Sequence, residues 1–289
     1  MIHPGDFWNQ PELGTGTQFE RGLLSLFTVE GNGKPRPIGT AFLISADGGT
    51  GVACTAAHNF SGIAQLQQPP LTHHSSALRE FLPEGKPLNL AASAVRAMLT
   101  EIDRVEMAQL TWAVWDERND IAVFGLRPQI ETDMDCFKSA YEVTDTVPHV
   151  GELIAISGFS TIDVDAEFIE PKPHAIFRLI RTHILRIGRV KAIFPEGHLL
   201  CRGPCIETSI PVFPGMSGAP AMRFGSAGEP MVPFGVVSSD ADQIGIDKND
   251  RTAEGTSIVA LLGAKTTVEY VSGKRTMQFS FGHAHFVQG

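Results

Sequence analysis

From Leu23 to Leu262 the chain consists of apolar and β-branched runs of five to nine residues, each cut off by Gly, Pro, Asn or Asp. Runs of that size and punctuation are strands, because helices need longer periodic stretches. The 289 residues include 29 Gly and 19 Pro, with 43% hydrophobic and 19% charged side chains. That is a turn-rich globular composition, which excludes fibrous, disordered and long-helical architectures. Strands are expected at Leu23 to Val29, Ile38 to Ser45, Val52 to Cys54, Leu110 to Trp115, Ile121 to Leu126, Glu152 to Ser157, Phe177 to Ile184, Ile187 to Phe194, Ile206 to Ile210, Val232 to Val237 and Thr256 to Leu261. Asn32-Gly33 supplies the positive-φ residues of a hairpin turn between the first two.

A polar, irregular stretch around residues 131–148 divides the strands into two sets of similar length. The expected organisation is therefore all-β: a first unit at 20–130 with an insertion at about 60–100, a linker at 131–148, a second unit at 149–265 and a tail at 266–289. The insertion is rich in Gln, Pro, His and Ser, and its end, Ala91 to Thr100, is weakly helical. Lys and Arg total 23 against 32 Asp and Glu, a net charge of −9 that repels phosphate backbones and anionic lipid, so nucleic acid is a poor partner. No run nears the roughly 18 apolar residues that span a bilayer, so no membrane role is expected. The N-terminal residues lack a basic stretch followed by an apolar one, and Cys54, Cys136, Cys201 and Cys205 are too few and scattered for a disulfide framework. A cytoplasmic location follows as the expectation.

Three segments stand apart from the strand background. Thr55-Ala56-Ala57-His58 ends an apolar strand, with small residues from which an imidazole can project. Asn119-Asp120-Ile121-Ala122-Val123 sets a carboxylate at the mouth of a buried strand, where it is costly unless it meets a donor such as an imidazole N–H. Pro214-Gly215-Met216-Ser217-Gly218-Ala219-Pro220 exposes a hydroxyl on a sharply turning backbone. Singly, each has a bland explanation: a structural histidine, a turn-capping aspartate, a loop serine. Together they supply the base, the orienting acid and the nucleophile of acyl transfer. His58 and Asp120, 62 residues apart, fall in the first unit, and Ser217, 97 residues later, in the second.

In these segments, covering roughly residues 20–265, the chain resembles the chymotrypsin-like serine peptidases, with their TAAH, DIA and GxSGxP motifs. Gly39-Thr40-Ala41-Phe42-Leu43-Ile44 looks like the strand before the histidine, and Ile206-Glu207-Thr208-Ser209-Ile210 is similar to the bacterial HtrA-like branch, whose PDZ module has no room in the short tail. The resemblance implies two six-stranded antiparallel β-barrels with the site in the cleft between them and no cofactor. It implies a serine endopeptidase acting on protein or peptide substrates: Ser217 as nucleophile, His58 as general base and then acid, and Asp120 fixing its tautomer. The N–H groups of Gly215 and Ser217 would form the oxyanion hole. Pro211, Val237, Ser238, Ser239 and Gly255 would contact the substrate, the segment Gly235 to Ser239 pairing with its backbone.

Departures sharpen the expectation. Met216 stands where zymogen-type relatives carry an Asp that pairs with a freshly cut N-terminus, so activation by N-terminal cleavage is not expected. Asn59 replaces a cysteine of the disulfide-bearing relatives, and Pro211 replaces the pocket-floor acid of trypsin, leaving an apolar or small residue as the expected preference before the scissile bond. Two rivals keep the fold and change the role: a catalytically silent scaffold that binds proteins, and an enzyme whose Ser217 loop orders only with a regulatory protein partner, its contact being sought in the Phe60 to Thr100 insertion. His198, Cys201 and Cys205 could begin a soft-metal site but lack a fourth ligand, so buried thiols and no metal are expected. His283 and His285 in the tail, and His73-His74 in the insertion, are taken as surface, and Trp112 and Trp115 as core or rim.

Overall fold

In an antiparallel all-β chain, each strand pairs with a neighbour close in sequence until the sheet closes on itself and no edge is left open. The computed structural model describes residues 21–29, 35–47, 49–61, 95–101, 104–128, 137–169, 174–225, 230–240, 255–262, 267–272, 275–280 and 283–288, and it contains two such closures. The first barrel has strand order β1-β2-β3-β6-β5-β4, built from β1 (Leu23–Val29), β2 (Pro35–Ala46), β3 (Gly51–Thr55), β4 (Val95–Glu101), β5 (Arg104–Asp116) and β6 (Ile121–Pro128). The second repeats that connectivity with β7 (Leu153–Ile169), β8 (His174–Phe194), β9 (Cys205–Thr208), β10 (Pro220–Arg223), β11 (Val232–Asp240) and β12 (Ser257–Leu261). Every pairing is antiparallel. This is the chymotrypsin-like double barrel.

The burial pattern explains why the strands read as continuous apolar runs. In β6, Ala122, Phe124 and Leu126 point into the first barrel, while Ile121 and Val123 join a second cluster on the opposite face. That cluster takes Leu23, Phe27, Phe42 and Trp112 from the first barrel and Phe159, Val236, Ile258 and Ala260 from the second. A strand buried on both faces has no polar alternation to show. The second barrel is filled by Ile154, Ile156, Val190, Ile206, Phe213, Phe234, Val237 and Leu261. Arg181 of β8 also crosses the seam, donating from Nη1 to Ser25 Oγ at 2.8 Å and from Nη2 to Thr100 Oγ1, with its guanidinium 4.3 Å from the Phe159 ring centroid.

Several elements differ from the sequence expectation. Residues 95–100 are strand, not helix, because β1 and β5 flank them and pair with them on both sides. The runs at Phe177 to Ile184 and Ile187 to Phe194 are one strand of 21 residues, paired with β7 from Leu153 to Ile169. The strand begun at Ile206 ends at Thr208, whose hydroxyl accepts from the Ile210 N–H at 3.1 Å and turns the chain out of the ladder. The described part of the connection between barrels is pinned to both: Tyr141 N–H donates to Leu43 O, and Thr144 N–H donates to Pro233 O, each at 2.8 Å. In the tail, β13 (Thr267–Ser272), β14 (Arg275–Ser280) and β15 (His283–Gln288) form a three-stranded sheet. Most of the insertion, the Asn32-Gly33 turn, Cys136 and His73-His74 lie outside the described residues.

Candidate active site

The chain leaves β3 at Thr55 and turns at once into a four-residue helix, His58–Ser61, with Asn59 and Phe60 N–H groups closing on Ala56 and Ala57 carbonyls. Ala56, Ala57 and Phe60 are fully buried, which fixes the base of the turn and sends the His58 side chain outward. Asp120 sits just before β6 with φ +51°, a left-handed conformation that Asp tolerates better than most non-glycine residues. That turn carries its carboxylate back toward His58. Oδ1 accepts the His58 backbone N–H at 2.9 Å, and the ring Nδ1 lies 2.9 Å from Oδ2 and 3.1 Å from Oδ1. Ser238 of β11 donates its hydroxyl to Oδ2 at 2.5 Å, within the range of a charge-assisted O–H···O⁻ bond. An Nδ1 that faces a carboxylate carries the proton, and Nε2 is left as the acceptor. The His58 side chain is 43% exposed and that of Asp120 is 10% exposed, so the imidazole opens outward while its orienting acid is covered.

Ser217 arrives from the second barrel and is seated on the first. Its carbonyl accepts the Thr40 N–H at 2.9 Å and the Asn59 Nδ2 amide at 3.1 Å, so it lies against the residue that follows His58. Among the described residues no hydrogen bond joins Ser217 Oγ to His58, whose Nδ1 is turned to Asp120. The peptide planes around Ser217 are each held. The Gly215 carbonyl accepts the Thr40 hydroxyl at 2.6 Å, and the Met216 N–H donates to Phe213 O at 2.9 Å. The Met216 carbonyl accepts from Ala219 N–H, and the Gly218 N–H donates to Val237 O, both at 2.9 Å. What remains unengaged by any backbone carbonyl among the described residues is the N–H of Gly215 and the N–H of Ser217. Gly215 holds φ +101° with the Phe159 carbonyl 2.6 Å from where a Cβ would stand, so no other residue fits there without distortion.

The remaining candidates take varied positions. Val237 is fully buried in the second barrel, with its N–H donating to Ala219 O and its carbonyl accepting from Gly218. Pro211 is buried, and its carbonyl accepts from Arg186 Nη1 at 3.3 Å; the same guanidinium stacks 4.3 Å from the Phe213 ring centroid. Gly255 is half-buried, and of Ser239 only the backbone is described, paired with Ile258. Pairing of β11 with β10 stops at Val236, whereas pairing with β12 runs on to Asp240, so β11 outruns its neighbour beside Asp120. Met216 is wholly buried in the second barrel. The sequence reading missed Thr40 and Asn59, since their partners lie 175 and 158 residues away and no local signal marks them.

Cys201 and Cys205 are buried free thiols, with Cys201 Sγ 3.8 Å from the Asn119 carbonyl. The His198 ring packs on Phe194 at 4.9 Å and its Nδ1 accepts from Leu200 N–H. Among the described residues no group of three His, Cys, Asp or Glu side chains is placed to hold a metal ion.

Neither a family model nor a curated protein matches the sequence. Among solved structures, human heparin binding protein is similar over 88% of this chain and 90% of that one, at 14% identity and a TM-score of 0.47. A double mutant of the same human protein is similar over 86% and 90%, at 13% identity and a TM-score of 0.47. The fold rests on the strand order of the two barrels.

Proposed function

We propose that the chain is a serine endopeptidase that hydrolyses peptide bonds through an acyl-enzyme, without a cofactor. One observation carries this reading: a carboxylate-oriented imidazole faces outward next to a serine loop whose only unengaged backbone donors, among the described residues, are the Gly215 and Ser217 N–H groups. Ser217 Oγ attacks the scissile carbonyl as His58 Nε2 takes its proton. The two N–H groups receive the oxyanion, and the imidazolium then passes the proton to the leaving amine. Water repeats the sequence to release the acid. Asp120, held by three donors, keeps Nδ1 protonated throughout. An extended peptide adds along the part of β11 beyond Val237, past the last backbone bonds to Gly218 and Ala219 and the end of pairing with β10.

Labelling with a fluorophosphonate tests it. The wild-type chain should react and Ser217→Ala should not. No labelling in any condition would favour the silent scaffold, and labelling only with a partner added would favour the gated enzyme.

A further inference from the structure

The donors to the Gly215 and Ser217 carbonyls come from the barrel that carries His58. Thr40 is fully buried and uses every polar atom it has. Its hydroxyl donates to Gly215 O at 2.6 Å and accepts from Phe159 N–H at 3.2 Å; its N–H donates to Ser217 O, and its own carbonyl accepts the Thr55 hydroxyl at 2.7 Å. Asn59 divides its amide between Thr55 Oγ1 at 2.9 Å and Ser217 O at 3.1 Å. The approach is close enough to demand glycine on both sides. A Cβ on Gly218 would stand 2.0 Å from Thr55 Oγ1 and 2.1 Å from Thr40 O, and one on Gly39 would stand 2.6 Å from Ser217 O.

From this we infer that Thr40 and Asn59 are positioning residues for the proposed reaction. They act on the carbonyls of Gly215 and Ser217, whose peptide planes adjoin, across the Cα of Gly215 and of Ser217, the planes that carry the two N–H groups receiving the oxyanion. A peptide unit is planar, so fixing one of its polar ends fixes the other. The Gly215–Met216 plane is caught between the Thr40 hydroxyl and the Phe213 carbonyl, and with φ of Gly215 at +101° this sets where the Gly215 N–H points. The Ser217–Gly218 plane is caught between the Thr40 and Asn59 donors on one side and Val237 O on the other. Because Asn59 follows His58 directly, the same contact sets the spacing between base and nucleophile. The inference rests on the serine endopeptidase reading and specifies which groups outside the triad its rate depends on.

The test compares Thr40→Val, which keeps the shape and removes the hydroxyl, with Thr40→Ser, which keeps the hydroxyl. Three quantities are read: kcat and KM on a peptide substrate, and the affinity of a peptide boronic acid, whose tetrahedral adduct places an oxygen where the oxyanion forms. Displacement of a reacting group by about 1 Å can cost roughly 10²-fold, and loss of an oxyanion donor about 10²- to 10³-fold. Thr40→Val should therefore lose about 10- to 100-fold in kcat, with KM little changed and boronate affinity falling by the same factor, while Thr40→Ser recovers most of both. If Thr40→Val does not fold, Asn59→Leu removes the other donor and is read the same way. Wild-type kcat and boronate affinity in a Thr40→Val protein that merely melts earlier would overturn the inference. A wild-type chain that neither labels with fluorophosphonate nor binds the boronate would overturn the endopeptidase reading, and this inference with it.

Discussion

Asp120 carries more of the site's geometry than its position at a strand mouth suggests. It accepts His58 N–H, His58 Nδ1–H and the Ser238 hydroxyl, and it does so from a backbone at φ +51°. Asn tolerates that conformation as well as Asp does, so Asp120→Asn should fold normally. Its amide can turn an NH₂ toward Nδ1, which drives the ring proton to Nε2 and removes the base; kcat should fall by about 10⁴-fold, measured on a peptide substrate with KM nearly unchanged. Ser238→Ala deletes one charge-assisted bond of about 1.5 to 3 kcal/mol and leaves the tautomer alone, so its loss should stay near 10- to 100-fold. A Ser238→Ala protein more impaired than Asp120→Asn would mean that the serine does something other than brace the carboxylate. At Gly218, φ +87° and the contacts with Thr55 and Thr40 leave no space for a methyl group. Gly218→Ala should abolish fluorophosphonate labelling by lifting the loop off the first barrel.

Among the elements, what the sequence revealed tracks how each strand is buried. β6 was legible because both of its faces are apolar, one toward its own barrel and one toward the seam. β4 was not: Arg96, Ala97, Met98 and Leu99 are good helix formers, and only the partners on either side make them a strand. β10 is four residues long and starts at a proline, too short for periodicity to register. The triad candidates were visible because residue type and order suffice to suggest them, whereas Thr40 and Asn59 act through contacts that only the closed barrels create. One ion pair at the second barrel's rim makes a pH prediction possible. Glu152 lies just before β7 and accepts Arg223 Nε of β10 at 2.6 Å. Partial burial pushes its carboxyl pKa up, but the Arg223 hydrogen bond and charge and the His149 N–H outweigh it and hold the pKa below the usual value. A depressed pKa means stability that is complete above the ordinary glutamate range, about 4.3, and lost as pH falls through the lowered value. Glu152→Gln should thus be less stable than wild type in urea at pH 7, by on the order of 1 kcal/mol, and the gap should shrink below about pH 4. A gap that acid leaves unchanged would exclude the ion pair as its source.

For the whole molecule the decisive feature is that the site belongs to neither barrel. His58 and Asp120 come from one and Ser217 and Ser238 from the other, so the geometry exists only while the seam is closed. The seam is held by a shared apolar cluster, by Thr40 and Asn59, and at a further polar point by Arg181, which reaches Ser25 and Thr100 across the boundary while stacked on Phe159. An interface with that much apolar burial couples the two barrels into one cooperative unit. Heating should therefore erase fluorophosphonate labelling and change the emission of Trp112 and Trp115, both packed in the first barrel's strands, in the same transition. Arg181→Met keeps a long flexible side chain over Phe159 but strips the Ser25 and Thr100 hydroxyls of their cross-barrel partner. Leaving such buried groups unmet costs about 1 to 3 kcal/mol, or several degrees of Tm in a chain of this size. Because that cost falls on the seam, labelling should be lost at a lower temperature than the tryptophan signal in this variant, the barrels parting before the first one unfolds. Two transitions already separated in the wild type would show that the barrels are independent, and that the clamp at Ser217 alone sets the register of the site.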